Sequence, residues 1–313
     1  MKIDFHAHIL PPAIFGELKR HNLNVNPGFG AAVPPKLAGS LEERLKDMDS
    51  YGVDMQVLSM GPPGVDLDGA SPAITVELAR MVNDYIAEAV AKHPKRFQGL
   101  AVLPLQDVEK GVEELTRAVK KLGLKGAHIF SNVKGRTLDS REFSPLYEKA
   151  SELDVLLYLH PTKPLSMAGL LDLELMIPVG VLFESSLAMT RLIVRGTLDR
   201  FPSLKLALAH LGSTLPYIAG RLDIEGISGD RPKISKLPSA YLRDFYVDTV
   251  SHHKPAYMCA LETCGIDRII LGSDYPYSLW KRTVDAIEEL PIPKEDKEKI
   301  FFGNARGLLK LSV

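Results

Sequence analysis

Eight short apolar runs recur along the chain: KIDFHAH (2–8), DMQVLSM (54–60), FQGLAVLP (97–104), KGAHIF (125–130), DVLLYLH (154–160), LKLALAH (204–210), DFYVDTV (244–250) and RIILGSD (268–274). Several are apolar at nearly every position, as strands buried on both faces are. Between them lie segments of helical period at 41–52, 71–93, 108–123, 141–153, 184–201, 215–223, 255–265 and 278–290, and a last one covers 294–311. The first and third end at Gly52 and Gly123, residues suited to a left-handed helix stop. The second opens Ser71-Pro72, a good helix start. Such alternation calls for a parallel sheet with right-handed crossovers. An open doubly wound sheet alternates in the same way. Eight repeats in 313 residues favour a (β/α)8 TIM barrel, an α/β fold of ~250 residues plus insertions. The sequence reads as a single domain over 1–313. An insertion at 9–40 follows the first strand, and smaller ones fall at 161–183 and 225–240.

Composition narrows the function classes. The formal net charge is −1, without a dense block of Lys and Arg, which argues against a nucleic-acid partner held through phosphates. Cys259 and Cys264 are the only cysteines, too few for a disulfide framework, so a reducing, cytoplasmic location is expected. Asp4, His6 and His8 interrupt any apolar leader, and no uninterrupted apolar run approaches the ~20 residues of a membrane span.

Polar residues fall at one end of the runs. The first run ends in His6 and His8, the fifth in His160, the sixth in His210 and the eighth in Asp274. In a barrel the C-terminal strand ends form the catalytic mouth, so these five residues are expected to converge there. Residues i and i+2 of a strand share a face, which lets His6 and His8 grip one ion together. A third histidine and a carboxylate would complete a site with an open position, where the ion acts as a Lewis acid. Taken singly, a strand-end histidine is more often a hydrogen-bonded structural residue, and an Asp can simply cap the next segment. Their equivalent positions in a repeating pattern favour the metal site. His128, within the fourth run, is a candidate substrate contact against a buried, hydrogen-bonded alternative. Lys163 is a candidate contact for a substrate carboxylate. His252 and His253 lie on the mouth side, and Tyr275 and Tyr277 are expected to shape the pocket wall. Glu184 is read as a helix-start carboxylate, and Arg44 as an exposed helix residue.

The ordered segments KIDFHAHILP, RLKDMDSYGVDMQVLS, PKRFQGLAVLPLQD, GTLDRFPSLKLALAHLGSTLPYIAGRLD and IILGSDYPY resemble the amidohydrolase superfamily. The resemblance is to its branch of metal-dependent decarboxylases, typified by aminocarboxymuconate-semialdehyde decarboxylase. It implies that His6, His8, His160 and Asp274 are metal ligands, that Asp274 also takes part in proton transfer, and that His210 in AHLG is the catalytic histidine. It implies a single divalent ion, Zn2+ first and Mn2+ second, and a small-molecule carboxylate as substrate. Arg221 in AGRLD matches an arginine that reaches a neighbouring subunit's site and binds a carboxylate, which implies a homodimer. The chain departs from the family pattern at LHPTKP, where Thr162 and Lys163 replace an aromatic position. The leading expectation is a decarboxylase of an aromatic or ring-cleavage carboxylic acid. The alternative is a hydrolase, a lactonase or amidase, on the same scaffold. A barrel that binds a small acid without turnover is the non-enzymatic reading.

Overall fold

The computed structural model of the chain describes residues 1–23, 34–171, 174–224, 232–278 and 280–311. Every apolar run forms a strand: β1 Ile3–His8, β2 Met55–Ser59, β3 in two pieces (Phe97–Gly99 and Ala101–Val102), β4 Gly126–Phe130, β5 Leu156–His160, β6 Lys205–Leu208, β7 Tyr246–Asp248 and β8 Ile269–Ile270. Consecutive strands pair in parallel from β1 to β8. Backbone bonds then carry the chain after β8 back onto β1. Phe5 N–H donates to Leu271 O at 2.8 Å, Asp274 N–H to His6 O at 2.9 Å and His8 N–H to Tyr275 O at 2.7 Å. These contacts close the ring, as a (β/α)8 barrel requires.

Alternation sorts the strand side chains into two layers. Ile3, Phe5, Met55, Val57, Leu156, Tyr158, Ala207 and Ile270 fill the lower barrel interior. Ala7, Leu58, Ala127, Ile129, Leu157, Leu159, Leu206, Leu208, Val247 and Ile269 join the layer between strands and helices. β1 breaks its own alternation, because its pairing with β2 slips between Asp4 and Ala7. Asp4 therefore turns toward Gln56, whose Nε2 donates to its Oδ2 at 3.0 Å, while Phe5, His6 and His8 share the interior. A bulge that re-aims side chains beside a site is a recurring device of strands.

The helices follow the expected order with local corrections. Leu41–Tyr51 starts on a capping box: Glu43 N–H donates to Ser40 Oγ at 3.1 Å and Ser40 N–H to Glu43 Oε2 at 3.3 Å. It stops at Gly52, φ 66°. The segment 184–201 is two helices, Val181–Val194 and Thr197–Arg200, parted by Gly196 at φ 68°. A wide turn at Met176–Gly180 leads into the first of them, so the insertion expected at 161–183 ends early. The last segment is Lys294–Glu298, a wide turn Lys299–Gly303, and Asn304–Leu308. Of the insertion at 9–40, Ile14–Arg20 is helical and seats Ile14 and Leu18 in the core, and 24–33 lies outside the described residues. Residues 225–231 of the loop 225–240 also lie outside them. Against expectation, Met176–Val194 is long and apolar enough to match a membrane span by length and composition, with half of it buried inside this fold.

Candidate metal centre

The strand ends bring the expected residues together. One side-chain ligand atom each from His6, His160, His210 and Asp274 lies within 4.8 Å of the other three. His8 joins them: its Nε2 stands 3.0 Å from His6 Nε2 and 3.2 Å from Asp274 Oδ1, and His6 Nε2 stands 3.3 Å from the same oxygen. Bonds of about 2.0–2.1 Å to a tetrahedral ion separate its ligands by about 3.3 Å, so this spacing fits a shared cation. The orphaned atoms agree. His160 Nδ1–H donates to Pro161 O at 2.7 Å, which turns Nε2 toward the cluster, where it is buried and finds no partner among the described residues. His8 Nδ1 and His210 Nδ1 are also buried without a partner among the described residues, His8 Nδ1 on the Gly61 side while its Nε2 faces the cluster. Buried polar atoms without partners are rare and call for an explanation, and a bound ion supplies one for His160 Nε2.

Electrostatics suit the same role. Burial opposes charge on His6, but Asp274 and Asp248 beside it outweigh that and lift its pKa to about 10. Burial holds His8 neutral, down to about 4, and burial with neighbouring histidines pushes His160 well below its ordinary value. Burial and then the His6 charge lower His210. His8, His160 and His210, held toward the neutral form, keep a lone pair for a cation, whereas His6 must give up a proton when one binds. Burial would raise the Asp274 carboxyl, yet His6 and His8 hold it well below the usual carboxylate range.

Sequence reasoning missed the supports. Asp248, inside β7, takes His6 Nδ1–H on Oδ2 at 2.7 Å and the Tyr158 hydroxyl on the same oxygen at 2.5 Å. Its Oδ1 accepts Leu211 N–H at 3.1 Å and Val250 N–H at 2.8 Å. His210 and Leu211 sit at φ 58° and 56°, a left-handed turn that costs non-glycine residues about 1–3 kcal/mol each. Gly272 leaves room for this arrangement, since a Cβ there would meet His6 Cβ at 2.8 Å and Asp248 Cβ at 2.9 Å. Arg44 is buried, not exposed. Its Nη1 donates to Gln56 Oε1 at 3.1 Å and its Nη2 to His8 O at 2.6 Å, and it stacks over Tyr275 at 4.7 Å. Asp4 completes that group by accepting from Ser273 N–H at 2.9 Å and Ser273 Oγ–H at 2.8 Å. A carboxylate inside an apolar strand is the signal available for both Asp4 and Asp248, because a buried charge must be paired.

His210 and Asp274 open onto a cavity of about 670 Å³. One wall is apolar, with Ile177, Pro178, Val181, Leu182 and Val250; Ser213, Ser251, His252, His253 and Ser278 supply polar groups. Ser278 Oγ and His252 Nε2 bridge the loops after β7 and β8 at 3.0 Å. Tyr277 packs on His8 with ring centroids 5.8 Å apart, whereas the Tyr275 hydroxyl turns away to donate to Asp47 at 2.8 Å. His128 stands behind the cluster, stacked on His8 at 5.6 Å and edge-on to His160 at 5.1 Å, with both ring nitrogens buried and unpartnered among the described residues. Lys163 and Arg221 are not brought in. Lys163 is exposed and lines a separate cavity with Asp66, Phe130 and Asn132, where burial raises the Asp66 carboxyl to about 6. Arg221 is exposed in the last turn of the helix Leu215–Leu222. Glu184 is structural: it accepts from Ser131 Oγ–H at 3.1 Å, Asn132 Nδ2 at 2.8 Å and Leu165 N–H at 3.0 Å, tying the loops after β4 and β5 together.

A closed (β/α)8 barrel with a histidine and carboxylate cluster at its mouth defines the class, a metal-dependent barrel enzyme. Residues 3–311 match the family model described as Amidohydrolase, and the chain belongs to that family. It is 30% identical to a 2-amino-3-carboxymuconate-6-semialdehyde decarboxylase of Dictyostelium discoideum, an alignment covering 99% of this chain and 92% of the relative. The structure of 5-carboxyvanillate decarboxylase from Sphingomonas paucimobilis superposes with a TM-score of 0.91 at 28% identity, covering 99% of both chains. A dihydroxybenzoic acid decarboxylase from a Polaromonas species, solved with bound manganese and the inhibitor 2-nitroresorcinol, gives 0.84 at 29% identity over 100% of this chain and 97% of that one. The likeness thus runs to the decarboxylase branch of the family and to enzymes that act on small carboxylates with a divalent metal.

Proposed function

We propose that this chain decarboxylates an aromatic or ring-cleavage carboxylic acid at one divalent ion held by His6, His8, His160 and Asp274, with His210 as the proton-transfer residue. The observation that carries the reading is the convergence of one ligand atom each from His6, His160, His210 and Asp274 within 4.8 Å, with His8 Nε2 3.0 Å from His6 Nε2 and 3.2 Å from Asp274 Oδ1, and with His160 Nε2 buried and unpartnered among the described residues. His6, His8, His160 and Asp274 would hold the ion, which would supply Lewis-acid stabilisation of the charge that builds as the carbon–carbon bond breaks. Carbon dioxide leaves without the bonding electrons, and a proton must take its place on carbon. His210, half-buried at the cavity, is the group placed to hold or hand on that proton, and Asp274 shares the transfer. The apolar wall takes the ring face. Zinc and manganese both suit three histidines and one carboxylate, and the manganese of the Polaromonas relative makes that ion the first to try.

The working unit in this reading is a homodimer in which Arg221 reaches the partner's cavity and pairs with a second carboxylate. Its support is an exposed apolar surface: Tyr217, one turn before Arg221, is 87% exposed, and Ile177, Phe183 and Leu187 are also exposed. The free thiols of Cys259 and Cys264 support a cytoplasmic setting. Elemental analysis of wild type and His8→Ala tests the centre. About one zinc or manganese per chain, lost in the variant, is the expected result. Full occupancy in a His6→Ala, His8→Ala double variant overturns the ligand set. Consumption of a carboxylic ester or amide with no carbon dioxide released would instead support the hydrolase reading.

A further inference from the structure

We infer that Asp248 is the positioning residue of this centre, setting His6 through one carboxylate oxygen and the His210 turn through the other. The inference rests on the metal-centre reading above. Asp248 is fully buried and receives four donors, two on each oxygen. The contact at Oδ2 puts the His6 proton on Nδ1, because a carboxylate only accepts. His6 Nε2, 3.0 Å from His8 Nε2 and 3.3 Å from Asp274 Oδ1, is then the nitrogen that would give its lone pair to an ion. The Tyr158 hydroxyl donates to the same oxygen, and its own oxygen lies beside His6 Nδ1 at 2.7 Å. The contacts at Oδ1 act on the backbone. Leu211 N–H lies in a run of positive φ that includes His210, Leu211, Gly212 and Ser213, and its bond to Asp248 ties that run to β7. One side chain from a strand that supplies no ligand therefore determines the tautomer of a ligand and the placement of the proton-transfer histidine. Partners behind a metal-binding histidine fix its tautomer and orientation, and their loss weakens metal binding by 10- to 100-fold.

Asp248→Asn separates the two arms. Its amide oxygen can still accept from Leu211 and Val250, while its NH2 meets His6 Nδ1 as a donor and drives the His6 proton to Nε2, onto the metal side. Nitrogen-15 NMR of protein labelled at histidine should show His6 protonated at Nδ1 alone in zinc-loaded wild type and at Nε2 in Asp248→Asn. Manganese affinity, read by chelator competition, should fall 10- to 100-fold in the variant. Asp248→Ala should in addition lose hydrogen-exchange protection at the Leu211 amide, which Asp248→Asn keeps. A wild-type His6 protonated at Nε2 overturns the proposal without any variant having to fold. So does a folded Asp248→Asn that binds manganese as wild type does. If wild type binds neither manganese nor zinc, the metal-centre reading fails, and the inference about Asp248 fails with it.

Discussion

His8 and His210 lie in the same cluster but are expected to fail differently when removed. His8→Ala deletes a nitrogen 3.2 Å from Asp274 and should cost both metal and turnover. His210→Asn should keep about one ion per chain and lose 10²- to 10⁴-fold in kcat, the usual contribution of a positioned proton-transfer group. Metal content measured beside kcat on the same preparations distinguishes them. Outside the centre, Asp66 predicts a pH effect. Burial raises its carboxyl to about 6 in the folded chain, against about 3.9 unfolded. Between those values the native state holds a proton that the unfolded state has lost, so stability falls as pH rises from about 4 to 6 and stays lowered above. Its carboxylate accepts Gln106 N–H at 3.0 Å, a bond an amide oxygen can keep. Asp66→Asn should therefore be more stable by about 1–2 kcal/mol at pH 7.5, with no gain at pH 4, in urea titrations at the two pH values. A gain independent of pH would contradict the assignment.

The elements place these residues through features of unequal visibility in the sequence. The strand rhythm is legible because buried parallel strands must be apolar on both faces, and the mouth histidines are legible because each stands at the end of a run. The β1 bulge is not. Strict alternation puts Asp4 on the face of His6 and His8, whereas the slipped pairing sends it outward to Gln56 and Ser273. Arg44 escapes sequence reading for a related reason: a helix of mixed polarity does not announce that one of its charges is buried against a strand carbonyl. Asp248 hides inside a run that stands out for its apolar residues. Gly272 on the chain after β8 tests how tightly these elements meet. In Gly272→Ala a methyl group must enter between His6 and Asp248, both within 3 Å on neighbouring strands. Metal affinity and Tm should both fall. Gly16, in the helix Ile14–Arg20, is the control: a methyl group added there meets nothing within 4 Å, and Gly16→Ala should gain about 0.5–1 kcal/mol.

Across the whole molecule, the ion and the fold support one another. β1, β5, β6 and β8 each bring a member of the cluster to one point, so an ion that binds only the folded chain adds to its stability by mass action. Stripping the ion with a chelator should lower Tm by roughly 5–10 °C, and adding manganese should restore it. The exposed apolar residues around Tyr217 give the same scale a second test. A mass of two chains by light scattering, reduced to one by Tyr217→Glu, is the result expected of the dimer. The most direct measurement is carbon dioxide release from carboxyl-labelled ortho-hydroxybenzoic acids by the manganese-loaded chain. The account predicts one labelled carbon dioxide for each acid consumed, abolished by the chelator, restored by metal and slowed 10²- to 10⁴-fold in His210→Asn. Release that persists in the chelated protein, or that runs at the wild-type rate in His210→Asn, would contradict it, as would a metal-loaded chain that leaves the label in the acid across aromatic and ring-cleavage carboxylates alike.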